Sequence, residues 1–216
     1  MSASAEAIPI GLIGPNAVTR LAQALAARKG EEILRAVFEK AGLETYLAAP
    51  PVRMVDELDV AALHAAMINL VGPLAAADVS AEAGRLTGDY LLANRIPRLA
   101  QILLRLMPNP LAARILVRAV ARHAWTFAGS GHFSYSFAPG LTLRLEGSPI
   151  SRYLHTDEPA CSYFAATFER IFSAMLGPQV RVTEIACTAA GAEACVFRVS
   201  WEQKDSIFVD GSPEQM

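Results

Sequence analysis

Helical spacing governs the apolar positions in the first part of the chain. Asn16 to Lys29 predicts a helix, with Pro15 near its start and Gly30 at its stop. Glu31 to Ala41 predicts a second, with Ile33, Val37 and Ala41 on one face and Gly42 at its end. Asp56 to Val71, Ser80 to Arg95 and Pro110 to Ala124 follow the same period, and Pro97 and Pro108 bracket a short apolar helix. The period then changes. From His132 to Phe137, Phe133, Tyr135 and Phe137 alternate with His132, Ser134 and Ser136. Leu141, Leu143 and Leu145 alternate in the next run, after a Pro139-Gly140 turn. Asp157 to Leu176 returns to helix, and Val180 to Cys187 with Cys195 to Trp201 predicts a second hairpin. The order helices, hairpin, helix, hairpin predicts an α+β fold: N-terminal helices, then an antiparallel sheet of hairpins packed on helices. Residues 203–216 are polar, with Gly211, Ser212 and Pro213 among the last, and predict a flexible tail.

Composition sharpens this picture in two places. Of the 216 residues, 53% are hydrophobic, and mean hydropathy is +0.30. Val60 to Ala77 carries no charge and is long enough to raise a membrane span. Yet it contains His64, Asn69, Gly72 and Pro73, and alanine dominates it, so a buried helix is expected and no transmembrane span. The excess of apolar residues also predicts a homodimer or a stable partner. No basic residue precedes Arg20, which is unlike a secretory signal. Three cysteines without such a signal point to a reducing cytoplasm.

Charge placement says more than charge total. The net charge is −2, which gives no reason to expect nucleic acid as a partner. All 21 acidic residues lie outside the window from Tyr90 to Leu145, which carries seven arginines. Arg114, Arg118 and Arg122 fall at i, i+4 and i+8, one stripe along a helix. That stripe is either a solvated face or a cationic rim for carboxylates or for an anionic membrane surface to which the protein is peripheral.

The cysteines form the sharpest constellation. Cys161, Glu184, Cys187 and Cys195 follow the spacing Cys-x22-Glu-x2-Cys-x7-Cys. Three thiolates and one carboxylate would complete a tetrahedral zinc site with no open position, hence a structural one. Free cysteines that simply pack as small buried hydrophobes are the alternative, since no CxxC pair is present.

The same stretch, with Val196 and Phe197 following Cys195, resembles the 4-vinyl reductase domain family. That family includes aromatic-sensing modules of some bacterial transcription activators. The resemblance implies that Cys161, Glu184, Cys187 and Cys195 bind a structural zinc. Over its whole length the chain resembles a family of bacteriochlorophyll-synthesis proteins of purple phototrophs that are usually labelled 4-vinyl reductases. It implies an α+β, commonly dimeric fold, related to vesicle-tethering and haem-nitric-oxide-binding modules. It also implies a division into an N-terminal helical segment (1–50), a ligand-binding domain (51–202) and the tail (203–216).

A reductase needs a source of electrons. Gly11-x2-Gly14 lacks the dinucleotide pattern and reads as a turn leading into a helix. No flavin or iron–sulfur signature is visible, and three cysteines are too few for a cluster held by four thiolates. Of the four histidines, His64 is expected to be a buried, hydrogen-bonded residue. His123, His132 or His155 would each serve as an axial ligand to a magnesium porphyrin only against a plainer structural role.

Three functions remain open. The first is an accessory protein of bacteriochlorophyll synthesis that binds or carries a magnesium porphyrin or chlorophyllide intermediate, alongside enzymes of that synthesis. Its expected ligand contacts are Trp125, His132, Tyr135, Arg114, Arg118 and Arg122. The second is a vinyl reductase converting a divinyl to a monovinyl pigment precursor. The third is a small-molecule-sensing module acting through protein contacts; no P-loop accompanies it.

Overall fold

A computed structural model describes residues 11–201; the tail expected at 203–216 lies outside them. Strand β1 (Leu12–Ile13) leads into α1 (Asn16–Ala41), a single helix kinked at Gly30, whose φ of 84° and ψ of 168° suit glycine. The two helices read from the sequence are its two arms. Gly42 closes it in the left-handed region, its N–H donating to Glu39 O while Leu43 N–H donates to Phe38 O.

A short α2 (Thr45–Ala48) precedes β2 (Val55–Asp56), which pairs antiparallel with β1 in the register Leu12↔Asp56 and Ile13↔Val55. A boundary drawn at residue 50 therefore passes between two paired strands. Asp56 caps α3 (Glu57–Val71) by accepting from Leu58 N–H at 2.8 Å. Gly72 breaks the uncharged run, and α4 (Pro73–Asn94) begins with Pro73 at its first turn. The helix thus starts seven residues before the Ser80 expected, because the Gly-Pro pair sets the start and the apolar period does not. Among the described residues no helix is long and apolar enough to cross a membrane.

Helix α5 (Arg98–Leu106) lies between Pro97 and Pro108 as expected, and α6 (Asn109–Arg122) starts one residue before the Pro110 expected and ends two before Ala124. The sheet is built from β3 (His132–Ser136), β4 (Thr142–Glu146), β5 (Arg181–Ala186) and β6 (Cys195–Ser200) in the order β3-β4-β6-β5, every neighbour antiparallel. The last strand in sequence lies between two earlier ones. α7 (Ser162–Leu176) covers the sheet and carries the core. Phe164 and Phe168 pack against Phe197 of β6, with ring centroids 6.4 and 5.6 Å away. Leu143 and Leu145 of β4 are fully buried, which is the inward half of the predicted alternation.

On its other side α7 meets α4 closely. A Cβ at Gly84 would collide with Tyr163 O, and one at Gly88 with the Arg170 side chain. Thr167 Oγ1 donates to Gly84 O at 3.1 Å across the same contact.

One buried ion pair ties the first half to the second. Glu57 is 1% exposed; it accepts from Ser130 N–H at 2.8 Å and pairs with the Arg152 guanidinium at 2.8 Å. Gly11 and Gly129 lie against its carboxylate, where a Cβ would collide. His64 is buried as expected, but its Nε2 has no hydrogen-bond partner. Burial pushes its pKa down to about 4, so the ring is neutral.

Candidate metal centre

Three elements end at one point. Cys161 occupies the N-cap position of α7, Cys187 follows β5, and Cys195 opens β6 opposite Leu145 of β4. Glu184 lies within β5, just before a bulge between it and Ala186. A regular strand keeps strict alternation; the added residue re-aims the chain so that Glu184 and Cys187 reach the same point.

The sulfurs are separated by 3.5 Å (Cys161 to Cys195), 3.7 Å (Cys187 to Cys195) and 3.9 Å (Cys161 to Cys187). A disulfide would bring two of them to about 2.05 Å, so these are three free thiols. Sulfurs about 2.3 Å from the centre of a tetrahedron are about 3.8 Å from one another, and the three separations match such an edge. One Glu184 oxygen completes the set, with all four donor atoms within 4.8 Å of one another. Glu184 also carries an unmet electrostatic demand. Its Oε2 accepts from Cys161 N–H at 2.8 Å, but Oε1 is buried with no hydrogen-bond partner. Leaving such an atom unpaired costs about 1–3 kcal/mol, which a cation would offset.

The protonation pattern agrees. Hydrogen bonds to Cys187 and Cys195, with burial, push the Cys161 thiol well up. Hydrogen bonds from Cys161 and Cys187 push the Cys195 thiol down. Burial raises the Glu184 carboxyl to about 7. Four acidic groups crowded into one buried point resist joint ionisation until positive charge arrives. The donor set therefore fits a metal ion, and these four residues can hold one.

Residues that the spacing did not reveal support the sulfurs. Thr188 Oγ1 lies 3.5 Å and Ser151 Oγ 3.6 Å from Cys195 Sγ, and Ser148 Oγ lies 3.6 Å from Cys161 Sγ. Ala160 N–H donates to Cys187 Sγ at 3.5 Å. The expected start of α7 at Asp157 is corrected here to Ser162. The amides of Thr156, Ala160 and Cys161 face Ala189 O, Cys187 and Glu184, so this stretch wraps the cluster instead of coiling.

The expected ligand contacts are dispersed by comparison. Arg114, Arg118 and Arg122 are exposed along α6, as the stripe predicted. Arg114 lies over the Phe137 ring at 5.1 Å, and Phe137 meets Tyr135 edge to face at 6.0 Å. Those three form one surface cluster. Trp125 is exposed in a short 3-10 turn after α6, and His132 is exposed at the start of β3.

The family model of the 4-vinyl reductase (V-4-R) domain matches residues 141–200, which run from β4 to the end of β6 and include all four donors. Over 187 residues the chain is 41% identical to the bacteriochlorophyll synthase 23 kDa chain of Cereibacter sphaeroides, covering 87% of this chain and 89% of that one. The chain belongs to this 23 kDa family. A second member, from Rhodobacter capsulatus, is 38% identical over 186 residues, covering 86% of this chain and 85% of that one. The resemblance read from the cysteine spacing holds. In this family member the metal-ligand candidates lie inside the matched segment, whereas the arginine stripe, Trp125, His132 and Tyr135 precede it.

Proposed function

We propose that the protein serves bacteriochlorophyll synthesis by binding a tetrapyrrole intermediate, on a framework held by a structural zinc at Cys161, Glu184, Cys187 and Cys195. The observation that carries the pathway is its likeness, over most of the chain, to two proteins named as 23 kDa chains of bacteriochlorophyll synthase. Zinc suits three sulfurs and one carboxylate. When bound it supplies positive charge and a crosslink between α7, β5 and β6. Three protein hydroxyls lie on the sulfurs, and four donors fill the tetrahedron, so the centre has no position for a substrate.

The binding surface is then sought where aromatic and cationic groups meet. A pigment precursor is a flat apolar ring with carboxylate edges. Tyr135 and Phe137 offer ring faces and edges, and Arg114 and Arg118 offer forks that match a carboxylate. Pairing of two copies belongs to the same reading, and light scattering tests it.

The deciding experiment is an absorption titration of the purified protein with a magnesium porphyrin, together with metal analysis. A shifted Soret band, weakened by Arg114→Glu, and one zinc per chain are expected. Protein that binds no magnesium porphyrin overturns the carrier reading. Protein that alone converts a divinyl precursor to the monovinyl form with NADPH assigns it to the vinyl reductases instead.

A further inference from the structure

The helix α5 is built the wrong way round for a surface helix of a free protein. Leu99, Ile102, Leu103 and Leu106 fall at i, i+3, i+4 and i+7, which is one apolar stripe. Such a stripe normally faces the core. Here its four side chains are 68%, 52%, 49% and 78% exposed, and Leu104, on the opposite side, is the only buried residue of the helix. The apolar face looks outward.

Charge decides what covers it. Arg98 and Arg105 fall together on one flank of the stripe, and Arg95 precedes the helix. Arg105 Nε donates to Ala174 O on α7 at 2.8 Å, which fixes the helix on the protein body. Among the described residues none of these three arginines forms an ion pair. No acidic residue occurs between Tyr90 and Leu145. A second copy laid face to face on α5 would therefore set cations against cations with no carboxylate of this segment to pair them. An anionic lipid surface complements both features at once: acyl chains for the leucines, phosphates for the arginines.

We propose that α5 is a membrane-docking helix that lies in the plane of an anionic bilayer surface, with Leu99, Ile102, Leu103 and Leu106 sunk among the acyl chains and Arg95, Arg98 and Arg105 at the headgroups. With nine residues it is about 14 Å long, and it is anchored reversibly, as interfacial amphipathic helices are. Long arginine side chains suit the boundary because their stems reach along apolar surface while the guanidinium stays at the phosphates. This inference goes beyond pigment binding and needs no pigment for its test.

The test is flotation of the full chain with vesicles of phosphatidylcholine alone and of phosphatidylcholine mixed with phosphatidylglycerol. The protein is expected to float with the mixed vesicles only and to be released by added salt. Leu106→Glu is expected to weaken partitioning about tenfold or more, and Arg98→Gln about fivefold. Both side chains are exposed, so thermal melting should be unchanged and a misfolded variant is recognisable. Failure to float with the mixed vesicles, or unchanged binding by Leu106→Glu, overturns the proposal. Vesicle-free light scattering that shows a dimer dissociated by Leu106→Glu assigns the face to a second copy instead.

Discussion

The cysteine cluster and the α5 face are opposite answers to the same difficulty. Each gathers groups that a folded chain does not normally leave as it finds them: acids without cations in one case, leucines without cover in the other. The cluster turns its groups inward, where hydroxyls and amides already hold them at metal-ligand spacing. The α5 face turns them outward, where nothing among the described residues covers them. An unmet demand inside the fold points to something small enough to enter, an ion. An unmet demand outside points to something large enough to cover it, a surface. The two should also differ in energetic signature, because folding depends on the first and not on the second.

Substitution at the cluster is the largest break. Cys195→Ser removes a candidate donor and, with the proposed zinc, the crosslink that ion would give between β6 and α7. A loss of about 3 kcal/mol or more is expected, a fall of about 10 °C in melting temperature for a chain of this length, read by calorimetry. Chelation of the purified protein should move the midpoint the same way. A midpoint indifferent to both would place the cluster among ordinary buried thiols.

Glu57 shows what a buried charge looks like when protein groups satisfy it. Glu57→Ala strands Arg152, whose side chain is 21% exposed, and leaves Ser130 N–H without its acceptor. The expected loss is about 3 kcal/mol, at the low end for a broken buried pair because Arg152 keeps some solvent, and chelator should not change it. His64 is a third kind of buried polar group, one left unsatisfied. Its folded pKa is about 4, below the usual histidine value, so the unfolded chain binds a proton that the folded chain refuses. Stability from this residue is present at neutral pH and is lost as pH falls from about 6.5 toward 4, by about 2–3 kcal/mol. Denaturant midpoints of wild type and His64→Phe across that window should differ in slope; parallel curves would remove His64 from the account. Leu103→Glu is the smallest expected effect on stability, within about 0.5 kcal/mol, although vesicle binding falls about tenfold or more. A large destabilisation would show that the α5 face is covered by its own chain after all.

The same two regions mark what could be read in the sequence. The four donors were legible because cysteine is rare in this chain and its spacing survives any fold. Their supporting hydroxyls were not: Ser148, Ser151 and Thr188 are common turn residues, and nothing in their order says that a sulfur lies beside them. The helices bounded by Pro97, Pro108 and Gly42 were legible because those residues punctuate the backbone whatever surrounds them. The true start of α7 was hidden, since Asp157, Glu158 and Pro159 read as the acidic, proline-bearing first turn of a helix and only the cluster recruits the amides of Ala160 and Cys161. Strands β1 and β2, two residues each, are set by partners more than 40 positions apart and carry no period of their own. The arginine stripe was visible, but which side α5 shows to solvent depended on where α7 lay.

The strand order has a kinetic consequence. Because β6 inserts between β4 and β5, a chain in which it has not yet docked presents two open edges, one on each side of the gap, both flanked by apolar side chains. On the β5 side the pairing is a local hairpin, Glu184 with Phe197 for example. On the β4 side it joins residues far apart in sequence, Leu143 with Phe197, so docking against β4 is the slow, long-range step. Until it happens the half-made sheet is a template for strands of other molecules. Refolding yield should accordingly fall with protein concentration, and the commitment step should be the arrival of the strand that begins with Cys195.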